Sequence, residues 1–260
     1  MKSSAREMMT LGILDWGIGG LGFFRLWRAR HPRGRVVYWS DAGVPPYGRL
    51  SANDLAARVD LVVRAMGARG VTHLALACHA ASSILPKLAR GRSERPLLTG
   101  IIEHGVAATR ALHRPGLVGI MGGRRTILSG MYLRAFRGLT VRQRIAQPLS
   151  AHIEAGNQHS PAARRDLERI MAPLRRVDTL VLACTHYPAL GDAIQAQAPR
   201  ARIIDPASSM LRWIERHWPP ARQGARRDEF LTTGDPKSMR RAAKVAFGET
   251  IAREIEVIRL

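Results

Sequence analysis

Cysteine is nearly absent from this chain: Cys78 and Cys184 are the only two in 260 residues. So few thiols exclude a disulfide framework and point to a reducing compartment, with the cytoplasm as the expected location. Long hydrophobic runs are missing too. No stretch approaches the roughly 18 uninterrupted apolar residues of a membrane span. The opening MKSSAREMMTLGILDWG lacks the layout of a secretory signal, because its first apolar run feeds a glycine-rich turn. Lysine occurs only at positions 2, 87, 237 and 244, and Asp plus Glu number 20 against 41 Lys plus Arg, for a net charge of +21. Nearly all of that excess is arginine, spread as single residues or pairs such as Arg164-Arg165 and Arg175-Arg176. Aromatic residues, 5% of the chain, are not interleaved with the basic ones as in single-strand nucleic-acid binders. A solvated basic surface is therefore the preferred reading, with a nucleic-acid partner as the alternative.

What is present is an ordinary globular composition, with 46% hydrophobic and 23% charged residues. The length suits one large domain or two smaller ones. Apolar runs at 36–40, 71–77, 97–102, 117–121, 178–183 and 201–205 read as short buried strands. Between them, 51–69 and 161–175 carry helical spacing, opened by Ser51 and by Ser160-Pro161. Alternating strands and helices predict a largely parallel sheet covered on both faces. Pro219-Pro220 and the basic stretch after it read as an exposed loop.

The two cysteines stand in one phrase written twice: LALACHAASS at 74–83 and LVLACTHYPA at 180–189. They lie 106 positions apart, and the same shift lays LGILDWG, from residue 11, over LVGIMGG, from residue 117. Each half then begins with a strand entering a glycine turn and later offers a strand ending in Ala-Cys. Two such units face to face form a pseudo-twofold pair, with ligands beyond the carboxyl ends of the strands and the thiols meeting across one cleft. A thiol between strand end and helix start is expected to have a lowered pKa. Two opposed thiols can invert a stereocentre, one abstracting a proton from one face of a carbon and the other supplying a proton to the opposite face, with no cofactor. The alternatives are inert buried thiols and a zinc site drawing on Cys78, His79, Cys184 and His186, whose spacing lacks paired chelating motifs.

LGILDWGIGGLG, DAGVPPYG (41–48), ACHAAS (77–82), GIIEHG (100–105), ACTHYP (183–188), IIDPA (203–207) and FLTTGDP (230–236), taken in order, resemble the cofactor-independent aspartate/glutamate racemase superfamily, and its glutamate racemases most closely. The resemblance implies two pseudo-symmetric parallel-sheet α/β domains, residues 1–99 plus 208–260 and residues 100–207, with the active site in the cleft between them. It implies Cys78 and Cys184 as the acid/base thiols, Asp15 as the carboxylate near the first, and His186 as the imidazole beside the second. Glu154 falls near a further acidic position. Thr185, Pro46, Tyr47, Gly48 and Thr126 fall on positions that line the substrate.

The departures bear on specificity. Where the family reads Asp-Ser-Gly this chain has Asp15-Trp16-Gly17, and where it reads Cys-Asn-Thr this chain has Cys78-His79-Ala80. Gly123 stands in place of a threonine. Lost hydroxyl and amide donors leave substrate charges unpaired, which alters specificity strongly. Trp16 reads either as packing or as a wall that reshapes the pocket and stacks on an ammonium group. His79 is either a neutral hydrogen-bonded ring or a carboxylate-binding group whose charge changes with pH. Asp15 alternatively caps the next helix. Arg124-Arg125 is preferred as a solvated pair over an anion contact. The expected function is inversion of an amino acid's α-carbon, with glutamate first and another acidic or larger amino acid next. The resemblance also implies supply of a D-amino acid as a peptidoglycan precursor. A small amino-acid substrate, no membrane and a homodimer fit that reading. A non-catalytic basic binding protein on the same fold is the rival.

Overall fold

A computed structural model describes residues 9–88, 96–218, 227–248 and 254–260. Pro219-Pro220 and the stretch after it lie outside the described residues. Among the described residues, ten strands form two sheets. They are β1 (Leu11–Asp15), β2 (Arg35–Ser40), β3 (His73–Leu76), β4 (Leu97–Gly100), β5 (Val118–Gly122), β6 (Val141–Ile145), β7 (Thr179–Ala183), β8 (Arg202–Ile204), β9 (Arg227–Thr232) and β10 (Glu256–Val257). The six-stranded sheet runs β10-β9-β2-β1-β3-β4 and the four-stranded sheet β6-β5-β7-β8. Every strand pair is parallel. The central strands β1, β5 and β7 are buried along their whole length, as strands covered by helices on both faces must be.

The repeat is real but slipped by one residue. The order β2-β1-β3-β4 recurs as β6-β5-β7-β8. In the first sheet Leu14 pairs with Leu76, two residues before Cys78. In the second, Met121 pairs with Leu182, two residues before Cys184. Leu14 and Met121 are therefore equivalent at an offset of 107, whereas the cysteines are 106 apart. The single offset expected from sequence aligned Asp15 with Met121; the hydrogen-bond register aligns it with Gly122.

Two element boundaries also differ from expectation. The run 97–102 ends its strand at Gly100, and Ile101–Arg110 is a helix. Ser82 Oγ turns the chain here, accepting from Ile102 N at 3.1 Å, while Ile101, Gly105 and Thr109 fall on one buried helical face. The helix from Pro161 stops at Met171 and tightens into a 3-10 turn over Ala172–Leu174, because Pro173 has no N–H to continue the ladder. Its start agrees with expectation: Ser160 Oγ accepts from Ala163 N at 3.2 Å. Ser51 likewise caps Ala52–Ala68, accepting from Asp54 N at 3.2 Å.

One buried cluster runs from Leu11 and Ile13 of β1 through Met210, Leu211 and Ile214 to Leu180 and Leu182 of β7. The helix Pro206–His217 supplies its middle, packing on both Leu21–Arg30 and Ile101–Arg110. The two sheets thus share a core on one side, leaving their carboxyl ends to face each other on the other. No described helix is long and apolar enough to cross a membrane.

Candidate active site

The carboxyl ends of β1, β3, β5 and β7 converge on one cavity of about 390 Å³. All five residues expected to be catalytic line it: Asp15, Cys78, Glu154, Cys184 and His186. So do the eight expected at the substrate: Trp16, Pro46, Tyr47, Gly48, His79, Ala80, Thr126 and Thr185. Both cysteines are free thiols. Among the described residues, no three His, Cys, Asp or Glu side chains converge in a geometry that could hold a metal ion.

Asp15 is the last residue of β1 and is fully buried. Its Oδ1 accepts from Trp16 N at 2.7 Å, and its Oδ2 from Gly20 N at 2.5 Å and from Thr185 Oγ1 at 3.2 Å. Gly20 is the residue that opens the helix Leu21–Arg30, so Asp15 holds the backbone entering that helix and lines the cavity at the same time. Burial raises the Asp15 pKa, against the lowering influences of His186 and of a hydrogen bond with Cys78.

Cys78 follows β3 and precedes a helix of a single turn, His79–Ser82. The lowered pKa expected for this thiol is not found. Burial, and then the Asp15 charge, push it well above its ordinary value, and backbone N–H contacts from Ala81 and Trp16 only soften the rise. One helical turn cannot offset removal from water beside a carboxylate.

Cys184 follows β7 and leads into a 3-10 turn, Tyr187–Leu190, rather than an α-helix. Its Sγ lies 3.5 Å from His186 Nδ1, and His186 Nε2 lies 2.5 Å from Glu154 Oε1. Glu154 ends the helix Gln147–Glu154 and is held from the other half, accepting from Ile18 N at 2.7 Å. Burial opposes a charged His186 ring, but the Cys184 sulfur and Glu154 outweigh it and hold the pKa well above the usual value. Cys184, His186 and Glu154 thus form a thiol–imidazole–carboxylate chain, whereas Cys78 is backed by Asp15.

The glycine turn lets these groups meet. A Cβ on Gly17 would lie 1.8 Å from Glu154 Oε1. One on Gly19 would lie 2.5 Å from Thr185 Oγ1 and 2.6 Å from both Asp15 Oδ2 and His186 Nδ1. The 41–50 loop is pinned by buried Asp41, whose Oδ2 accepts from Tyr47 Oη at 2.6 Å and Arg58 Nε at 2.9 Å. Asp41 Oδ1 accepts from Arg58 Nη2 at 2.7 Å and Thr233 Oγ1 at 3.0 Å.

The departures from the family pattern are specific in space. Trp16 is half-buried on the cavity wall, and its indole N–H donates to Val44 O at 3.0 Å, so it offers the cavity no free donor. His79 is buried with Nε2 3.2 Å from Tyr132 Oη, while Nδ1 has no partner. Burial lowers its pKa to about 3, which favours the neutral hydrogen-bonded ring over a carboxylate-binding group whose charge changes with pH. The solvated-pair reading of Arg124-Arg125 fails for one member: Arg124 is exposed, but Arg125 is half-buried and lines the cavity. Sequence reasoning missed Arg49, Gln147, Ser150, Ala151 and Ala155 as lining residues. The last four lie on or just after one helix of ordinary amphipathic composition, and no local motif marks them.

Comparison with known proteins agrees with this geometry. The family model described as Asp/Glu/hydantoin racemase matches residues 23–212. A glutamate racemase of Desulforudis audaxviator is 32% identical over 210 residues, 78% of this chain and 77% of that protein. The crystal structure of a glutamate racemase from Thermus thermophilus in complex with β-chloro-D-alanine superposes with a TM-score of 0.85 at 27% identity, covering 98% of each chain. The glutamate racemase isoform RacE1 of Bacillus anthracis gives a TM-score of 0.88 at 26% identity, covering 98% of this chain and 99% of that one. With a match across most of its length and thiols at the ends of two equivalent strands, the chain belongs to the Asp/Glu/hydantoin racemase family, whose members are isomerases.

Proposed function

We propose that the protein racemises glutamate by transferring protons between the α-carbon and two thiols. The observation that carries this is that Cys78 and Cys184 end equivalent parallel strands and line one cavity, each with its own proton-handling partner. Beside a proton-holding His186, Cys184 acts as the thiolate. It takes the α-proton, the bonding electron pair remains on the α-carbon, and the Cys78 thiol delivers a proton to the opposite face. Cys184 ends protonated and Cys78 ends as thiolate; the roles exchange for the other enantiomer. In that opposite direction Asp15, hydrogen-bonded to Cys78 with its pKa raised by burial, accepts the Cys78 thiol proton so that Cys78 starts as the thiolate. Glu154 acts through His186, orienting the ring and stabilising its charge. The scheme uses no cofactor and suits a reducing cytoplasm, where thiols stay free.

Glutamate rests on the names of the relatives, all at about 30% identity. Trp16, Ala80 and Gly123 offer no free side-chain donor to the cavity, so another acidic amino acid is the nearest competing substrate. Within this reading we assign residues 1–99 and 208–260 to one catalytic unit and 100–207 to the other.

Cys78→Ser and Cys184→Ser test the scheme in deuterated water. Each is expected to abolish inversion while retaining α-deuterium exchange with a single enantiomer, opposite for the two variants. Racemisation by either variant at the wild-type rate would reject the two-thiol mechanism.

A further inference from the structure

Beside the catalytic cavity lies a second lobe of about 190 Å³, lined by Arg49, Arg124, Arg125, Leu50, Leu128 and Ser129 and sharing Gly48, Arg49 and Arg125 with the main cavity. Three arginines line it and no Asp or Glu does. Among the described residues, the Arg49 and Arg124 side chains have no hydrogen-bond or ion-pair partner, and Arg125 has only Leu50 O, to which its Nε donates at 3.1 Å. Arginines so grouped repel one another unless an anion sits among them, and a planar guanidinium matches carboxylate and phosphate oxygens two at a time.

The lobe also joins the two halves. Arg49 follows Gly48 in the loop carried by the six-stranded sheet, and Arg124 and Arg125 open the helix after β5 in the four-stranded sheet. The same seam is tight: a Cβ on Gly48 would lie 2.8 Å from Gln147 Oε1, which accepts from Arg124 N at 3.1 Å. An anion held here would touch both halves at once.

We propose that Arg49, Arg124 and Arg125 form an anion subsite that reads a carboxylate or phosphate at the far end of the reaction cavity. This rests on the racemase reading for its link to catalysis. The catalytic end already contains the carboxylates Asp15 and Glu154 beside both thiols, which disfavours a second acidic group there. The arginine lobe is the complementary pole. The source of the anion is the distal acid of the substrate or a free anion.

The test compares wild type with Arg49→Gln/Arg124→Gln, two exposed positions whose exchange leaves the core untouched, and with the charge-preserving Arg49→Lys/Arg124→Lys. Calorimetry with inorganic phosphate measures the subsite without reference to activity, so its outcome stands even if no racemisation is found. Affinity is expected to fall roughly 10- to 100-fold in the glutamine pair and to recover largely in the lysine pair. Turnover is then measured on glutamate and on its neutral isostere glutamine. If the anion is the substrate's own, phosphate competes with glutamate, and the glutamine pair raises KM for glutamate by a larger factor than it lowers kcat and by a larger factor than it raises KM for the neutral substrate. If it is a free anion, phosphate raises turnover of both substrates without competing. Unchanged phosphate binding in the glutamine pair, or no phosphate binding by wild type, overturns the subsite.

Discussion

His186 receives opposing influences from its surroundings, and their balance sets how the site responds to pH. Burial alone would discharge the ring; the Cys184 sulfur and the Glu154 carboxylate keep it charged. A raised pKa means that the imidazolium survives to higher pH than a free histidine would. Glu154→Gln keeps an oxygen for Ile18 N but removes the negative charge from Nε2. The His186 proton is then lost at lower pH, so the alkaline limb of the kcat profile is expected to shift acidward. A charge-assisted hydrogen bond of about 1.5–3 kcal/mol translates into a fall in kcat on the order of 10- to 100-fold. A pH–rate profile superimposable on that of wild type would remove Glu154 from the proton chain.

At the scale of elements, the turn between β1 and the helix Leu21–Arg30 has the least room for change. Gly17 and Gly19 are required by neighbours from the other half of the molecule rather than by backbone conformation: no positive φ occurs between residues 16 and 20. Gly19→Ala would drive a methyl group into Thr185, Asp15 and His186, all buried and none free to withdraw. Overpacking of this kind costs about 1–3 kcal/mol of stability. Displacing the carboxylate and imidazole by even a few tenths of an ångström also separates the thiols from their partners, and activity is expected to fall about 100-fold or more. Gly191→Ala, where an added Cβ meets nothing within 4 Å, is the matched control, expected to keep both melting temperature and kcat. Equal effects of the two substitutions would show that the turn tolerates bulk.

The whole molecule carries a second pH response, in stability rather than rate. His79 and His104 are buried, with pKa values lowered to about 3 and about 4. Burial is the main cause in both, joined for His104 by the charge of His217. Between the ordinary histidine value of 6.5 and those lowered values, the unfolded chain binds protons that the folded chain refuses. Stability fully present above about pH 6.5 is therefore lost as pH falls, at about 1.4 kcal/mol per pH unit for each group. Tm measured from pH 7 to pH 4 is expected to fall less steeply in His79→Asn than in wild type. Parallel Tm curves would mean that His79 gains its proton in the folded state near the usual pH.

The order of short apolar runs dictated parallel strands, and the doubled Ala-Cys ending placed one thiol beyond each of two equivalent strands, because such a pattern depends only on local period and burial on both faces. The remote β6, β9 and β10 escaped notice: β6, Val-Arg-Gln-Arg-Ile, is a partly exposed edge strand without an apolar run. The Cys78 and Cys184 positions were legible because each follows the end of a buried strand, where chain direction alone sets the cleft side; Asp15 and His186 were legible only through the resemblance of their motifs to the family. What tertiary structure decided was environment. Whether the Cys78 thiol is made more or less acidic depends on how completely β1 and its turn exclude water and how near Asp15 comes. The one-residue slip that pairs Leu14 with Leu76 arises from hydrogen bonds between strands far apart in sequence. Arg125 faces the cavity because Leu50, 75 residues earlier, supplies the carbonyl that holds its guanidinium, a contact between distant segments that no local pattern encodes.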